Sequence, residues 1–356
     1  MRKLDNYIGF SVFAGISIVL IVLVGLFTFF SFIDEIDDIG KHHYGVLQAI
    51  QYVILEIPRH VYELFPTATL LGTLIGLGML ANTSELNVMR AAGVSVLRIT
   101  YAALKVGVLT TLITMLIGET IAPQSDQYAK NLRATAQSEQ NKMVFLSRYG
   151  FWARDSDDFV NIRTILSGGY FGDIALYKFD KYHRLNTLLY AKKAFYKDKE
   201  WHLQEVEKID ISDSEIKRSY LKSSTWNAML NPELIKIIVV NPDRLSILGL
   251  YHYIRYLQEN GQRSADYELA LWNRLSYPLI GMTMVFLAVP FIFGSLRSVS
   301  VGHRVLVGAF LGVGFYMLNQ TVGHLGLVYN LNPALGALLP PITFLMIAIF
   351  LIRRVV

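Results

Sequence analysis

Cysteine is absent from all 356 residues, and charged residues make up only 17% of them. The first absence excludes disulfides, thiolate metal sites and thiol catalysis, and it leaves the compartment open. The second, together with 53% hydrophobic residues and a mean hydropathy of +0.38, excludes an ordinary water-soluble domain. Several catalytic patterns are missing as well. No G-x-x-x-x-G-K-[ST] loop occurs, so the chain does not hydrolyse ATP by itself, and neither H-E-x-x-H nor a G-x-S-x-G nucleophile elbow is found. The net charge of +5 comes from 33 Lys and Arg against 28 Asp and Glu, with no basic block along one helix face, which argues against nucleic acid as a partner. His42 and His43 stand together in an acidic loop, and two histidines alone supply too few ligands for a metal site.

What the chain does have is long apolar runs. A bilayer core requires about 20 apolar residues of helix, and six runs meet that need: Ile8 to Ile33, Leu64 to Ala81, Ile99 to Ala122, Leu275 to Phe293, Val305 to Val328 and Pro333 to Ile352. The first is too long for a cleaved signal peptide and reads as an anchor. Short loops on one side hold Arg2, Lys3, Arg90, Arg98, Arg297, Arg304, Arg353 and Arg354 against Asp5 and Glu85, which marks that side as cytoplasmic. Both termini are therefore expected in the cytoplasm. Between the third and fourth runs, helix formers continue from Gln124 to Gln140, and β-rich runs follow at Val144–Leu146, Phe151–Ala153, Phe159–Ile165, Ile174–Phe179, Leu188–Phe195, Trp201–Val206 and Ile235–Val240. The alternation slips phase between Leu203 and Val206, the mark of a bulge. Ser246 and Gly261 bracket a further helix carrying Leu250, Ile254 and Leu257 at helical spacing. The expected architecture is a membrane protein of six transmembrane helices with an inserted, extracytoplasmic all-β domain of jelly-roll type. Its parts are residues 1–123 with three spans, residues 124–270 with a helix extension, the β domain and a brace helix, and residues 271–356 with three more spans.

Ionisable or polar residues near the spans are the candidate functional groups. Lys105 is placed to snorkel, Glu119 lies at the outer interface, and Asn319, Gln320 and His324 either line a polar cavity or bond between helices. Lys130 and Arg133 share a helix face just above the membrane, where they either attract anionic lipid or form a solvated face. The segment Asn82 to Ser95 holds a short helix capped by Thr83 or Ser84, begun by Glu85 and stopped by Gly93, with Leu86, Met89 and Ala92 on one face. It either takes mechanical work from a separate ATPase or is a connector packed on its own bundle.

The order and spacing of several blocks resemble a known family. They are Leu4-Asp5-Asn6-Tyr7-Ile8, Phe65-Pro66, Leu71-Gly72, Gly76-Leu77-Gly78-Met79-Leu80, Ser84-Glu85-Leu86 with Val88-Met89 and Gly93, Gly118-Glu119, Ala122-Pro123-Gln124, Leu245-Ser246, Tyr253-Ile254, Tyr256-Leu257, Leu271-Trp272, Pro278, Phe293-Gly294, Leu296-Arg297-Ser298, Gly302, Arg304 and Gly336-Ala337-Leu338-Leu339-Pro340. Over its whole length the chain resembles the lipopolysaccharide export permeases, the LptF/LptG (YjgP/YjgQ) family, and its LptG branch in particular. The resemblance implies a non-catalytic subunit in a heterodimer of LptF and LptG, carried on an LptB ATPase dimer that binds ATP and Mg, and joined by LptC. Lipopolysaccharide would leave the inner membrane for a periplasmic β-jelly-roll bridge toward the outer membrane. No cofactor would be bound by this chain. By the same resemblance Glu85, with Ser84, Leu86, Met89 and Arg90, would couple to the ATPase, and spans one and five would be lateral gates. Members of the family carry lysines at the outer end of span one, where this chain has Ser31, Asp34, Asp37 and Asp38. At that acidic gate mouth, headgroup binding passes either to a bridging divalent cation or to Lys130 and Arg133, which match basic positions of the family.

Overall fold

The computed structural model describes residues 2–41, 43–137, 143–145, 150–155, 158–166, 170–182, 184–198, 200–212, 215–226, 242–293 and 301–355. They form two compact units, one of residues 1–37, 50–129 and 265–356 and the other of residues 38–49 and 130–264. His42, the expected strand Ile235–Val240 and the blocks from Gly294 to Ser298, with Arg297, lie outside the described residues.

The first unit is helical. Its elements are α1 (Arg2–Ile36), α2 (Val46–Asn82), α3 (Glu85–Ala91), α4 (Val96–Leu116), a π-helical turn (Ile117–Ile121), the start of α5 (Ala122–Gln137), α7 (Ala265–Leu275), α8 (Tyr277–Phe293), α9 (Val301–Val328) and α10 (Pro333–Val355). Among the described residues, five stretches are long and apolar enough to cross a membrane, namely Lys3–Ile36, Val46–Asn82, Val96–Gln137, Gly302–Val328 and Pro333–Arg354. A sixth is α7 and α8 together, bent by 51° between them. Pro278 explains the bend, because it has no N–H to give the carbonyl of Arg274 and so interrupts the helical ladder. Several hydroxyl groups within the apolar helices bond to the preceding turn, as Thr69 does to Phe65 and Thr111 to Gly107.

α2 lies at the centre of this unit. Leu70, Leu74 and Leu77 of α2 are fully buried, packed in one core with Ile99, Ala102 and Ala103 of α4 and Met284, Val285 and Ala288 of α8. On α1 the buried stripe Ile8, Val12 and Ile16 joins that core, at spacings of four, with Leu4 and Leu20 packed against it, while Phe10, Ile18, Ile21 and Val22 are exposed. The α1–α2 contact is made backbone to backbone. A Cβ placed on Gly72 would stand 2.3 Å from Ile16 Cα, and one on Gly15 would stand 2.3 Å from the Gly72 carbonyl oxygen. Ser11 donates to the Gly76 carbonyl at 2.9 Å across the same contact. Small residues permit such an approach in a lipid-like surround, where van der Waals packing replaces the hydrophobic effect as the force between helices.

Among the described residues, the second unit contains seven antiparallel strands, β1 (Met143–Phe145), β2 (Phe151–Asp155), β3 (Asp158–Leu166), β4 (Tyr170–Phe179), β5 (Leu185–Lys197), β6 (Glu200–Ile211) and β7 (Ile216–Trp226), in one sheet. From β3 to β7 each strand pairs with its successor, and β1 and β2 lie end to end along the free edge of β3. Six of these strands coincide with alternating runs in the sequence. β7 does not, because its residues are exposed almost throughout and carry no apolar alternation. Trp201, Leu203 and Val206 all face the interior, so inward positions skip Gln204 and Glu205. Neighbouring strands skip at the same row: Phe171 and Gly172 precede Ile174 on β4, and Ala191 precedes Ala194 on β5. Because the slip is shared, pairing resumes in the same register, from Lys193↔Gln204 to Ala191↔Val206. Asp173 and Glu205 on this row are left-handed, with φ of 51° and 53°. The sheet thus carries a line of concerted kinks in place of a bulge in one strand.

The helix α6 (Ile247–Glu259) follows the 3₁₀ turn Pro242–Arg244. Ser246 accepts from the Gly249 N–H at 3.2 Å, Gly261 adopts φ of 63°, and Leu250, Ile254 and Leu257 are buried.

Two variants check these packing arguments. Gly72→Ala drives a methyl into the α1 backbone and lowers the thermal midpoint, by a destabilisation of about 1–3 kcal/mol, whereas Gly25→Ala, which meets nothing within 4 Å, leaves it unchanged. Equal midpoints would mean that α1 and α2 can part freely. In the sheet, Glu205→Gly keeps wild-type stability because glycine adopts positive φ without a steric penalty, and Glu205→Val loses about 1–3 kcal/mol. Equal denaturation curves for the two would contradict the kink.

Candidate functional site

The short helix α3 is joined to α2 by the turn at Thr83 and Ser84. Its stop is the one expected: Gly93 has φ of 85°, its N–H reaches the Arg90 carbonyl, and the Val94 N–H reaches the Met89 carbonyl, a double bond pattern that closes the last turn. Its start differs from the expectation. Ser84 occupies the N-cap position in a left-handed conformation with φ of 60°, and its side chain makes no capping bond. In that conformation the hydroxyl does not reach the free N–H groups. Thr83 gives no cap either, since its hydroxyl donates to Glu85 Oε1 at 2.8 Å.

Glu85 is also bonded by the Tyr7 hydroxyl of α1, so its carboxylate is oriented from two sides. Leu86 is buried in the bundle core and Met89 packs against it, while Val88 is exposed and Arg90 lies over the Phe293 ring with 5.9 Å to the centroid. Leu86 thus anchors α3 to its own bundle, as a packed connector would be, while Val88, Asn87 and Ala91 on the far side are exposed. Nearby, Arg98 donates to Asp5 at 3.2 Å.

Of the acidic candidates, Asp38 is paired with a basic candidate. Within the second unit, Arg133 of α5 forms an ion pair with Asp38, and Lys41 pairs with the same carboxylate. These two cations hold the Asp38 carboxyl down at about 2, well below the usual carboxylate range. Asp34 and Asp37 are exposed, Glu35 is buried and Ser31 lies 3.4 Å from His60 Nε2. Lys130 is partly buried on the helix that carries Arg133. Among the described residues, no group of three or more His, Asp or Glu is arranged to hold a metal ion.

Residues 6–354 match the family described as lipopolysaccharide export system permease LptF/LptG. The chain belongs to this family. It is 38% identical over 354 residues to the lipopolysaccharide export system permease protein LptG of Escherichia coli (strain K12), covering 99% of this chain and 98% of that protein. The protein of the same name from Haemophilus influenzae is 38% identical over 356 residues, covering 99% of each chain. This family membership and the apolar helices make the chain a multi-pass membrane permease of the lipopolysaccharide export system.

In this LptF/LptG family chain several polar contacts escape sequence reasoning. Glu119 pairs with Arg274 at 2.5 Å beside the π-helical turn, and Arg274 also lies over the Tyr62 ring. Arg59 bridges Glu63 and Asp126. Lys105 rests over the Tyr101 ring at 4.5 Å, and Gln320 bonds the Tyr316 hydroxyl. The signals were visible as ionisable residues in apolar surroundings, yet their partners lie up to 155 positions away.

The Asp38 pairing has a definite pH sign. A depressed carboxyl contributes stability above its unfolded pKa near 4 and loses it as the pH falls toward 2. Wild type should therefore be more stable than Asp38→Asn at pH 6, with the difference vanishing between about pH 4 and pH 2 in thermal melts. A difference that stays constant over that range would exclude the pairing.

Proposed function

We propose that this chain is the membrane half-channel of an ABC-type exporter that extracts lipopolysaccharide from the inner membrane while a separate LptB-type ATPase dimer supplies the work. The reading includes a heterodimer with LptF, association with LptC, cytoplasmic termini, and delivery to a periplasmic β-jelly-roll bridge. The observation that carries it is α3, a short helix that is anchored by Leu86, presents an oriented Glu85 carboxylate and keeps an exposed far face. A helix of seven residues is too short to stand unsupported. Its burial on one side and exposure on the other suit it to transmit a push from a partner to α2. The apolar exposure of α1 and α9, at Phe10, Ile21 and Val22 and at Phe310 and Met317, suits the two spans to face lipid or a partner helix as lateral gates.

The headgroup route by Lys130 and Arg133 takes a specific form. Arg133 spends charge on Asp38, so an anionic lipid phosphate competes with that carboxylate, and the mouth residues Ser31, Asp34, Asp37 and Asp38 tune retention. Each cation near the membrane surface contributes about 1 kcal/mol toward anionic lipid.

Two measurements test these roles. Glu85→Ala in the full complex weakens assembly or uncouples ATP hydrolysis from transport, since losing one partner of a desolvated pair typically costs about 2–5 kcal/mol, and wild-type assembly and transport would end the coupling role. In a direct binding assay, Lys130→Ala with Arg133→Ala reduces bound lipopolysaccharide by roughly tenfold or more, while Asp38→Asn raises it. Loss caused by chelation alone, and abolished by Asp37→Asn with Asp38→Asn, would support a bridging cation in place of the basic pair.

A further inference from the structure

Arg304 stands in the first turn of α9, and no part of it is exposed. Its Nη1 donates to the Gly78 carbonyl at 2.7 Å and its Nη2 to Asn82 Oδ1 at 2.8 Å. Gly78 makes room for this: a Cβ there would come within 2.5 Å of Nη1 and 3.1 Å of Cδ. Asn82 is the final residue of α2, three positions before α3 begins at Glu85. The guanidinium therefore joins the start of the fifth span to the junction between α2 and α3.

Beyond Arg304, α9 meets α2 through small and aliphatic residues. Arg304, Gly308 and Gly312 recur every four residues and so share one face of α9. Gly308 lies against Leu71 and Leu74, and Gly312 against Thr67. Glycine against aliphatic groups gives close packing that sets the distance between the helices without a directed bond. The two Arg304 bonds have fixed direction, and a planar fork of donors matches two acceptors at once in a way an ammonium does not.

We infer that Arg304 is a positioning residue that ties the gate span α9 to the α2–α3 junction, so that displacement of α3 moves α9. This rests on the reading of α3 as the ATPase contact and of α9 as a gate. The bond to the Gly78 carbonyl is buried and that to Asn82 partly so, and together they keep α9 in step with the junction as it moves.

The test uses the complete transporter with its ATPase in lipid nanodiscs containing lipopolysaccharide, and it measures ATP hydrolysed per lipopolysaccharide released. Arg304→Met, Gly78→Ala and Asn82→Ala each raise that ratio about fivefold or more, within the usual range of coupling between sites, while the complex still assembles and hydrolyses ATP. Arg304→Lys, keeping the charge and one bond, falls between them and wild type. A lowered melting temperature with an unchanged ratio would make Arg304 a packing residue only and overturn the proposal. Should Arg304→Met fail to assemble, Asn82→Ala decides by removing one bond alone: an unchanged ratio, or failure to assemble there too, also overturns it. A wild-type complex without ATP-dependent release would instead refute the permease reading itself.

Discussion

The helical unit depends on how closely α1 approaches α2. With Gly15 of α1 and Gly72 and Gly76 of α2 at the crossing, the two backbones touch, and the Ser11 hydroxyl adds a bond to the Gly76 carbonyl. α2 also receives α9, through Gly308 and Gly312. Both spans with the largest exposed apolar faces are therefore mounted on one buried helix, which runs on through two residues into α3. In apolar surroundings, close van der Waals contact is the available adhesive, and glycine is the residue that permits it.

Charge is arranged by the same economy. Several carboxylates and cations near the apolar spans are neutralised in pairs: Glu119 with Arg274, Arg59 with Glu63 and Asp126, Asp5 with Arg98, and, in the second unit, Asp38 with Arg133 and Lys41. An isolated charge at these depths would be expensive, so pairing lets the chain keep groups that can later exchange partners. The carboxylate–arginine pair at Asp38 is suited to such exchange, since a phosphate offers the guanidinium the same forked geometry.

The sheet shows how a local irregularity survives when it is shared. One strand with an extra inward-skipping residue would lose register with both neighbours. When β4, β5 and β6 kink on the same row, ladder partners remain opposite one another and the interior stays continuous on both sides of the line, with Trp201 and Leu203 on one side and Val206 on the other. Left-handed Asp173 and Glu205 absorb the change of direction locally.

Read alone, the sequence determined the element types. Apolar runs of bilayer length, strand alternation broken by turn residues, Ser246 and Gly261 at the ends of α6 and Gly93 after α3 are local signals, written in neighbouring residues whose spacing follows helix and strand periodicity. The phase slip before Val206 was equally legible, although its extension to β4 and β5 was not. β7 was invisible because an exposed strand has no need of apolar alternation. The left-handed Ser84 and the partners of Asp38, Glu85, Glu119 and Arg304 were decided only in three dimensions. Those partners come from elements as far as 226 residues apart, and a charge or hydroxyl carries no record in its own neighbourhood of which distant acceptor the packed helices will bring to it.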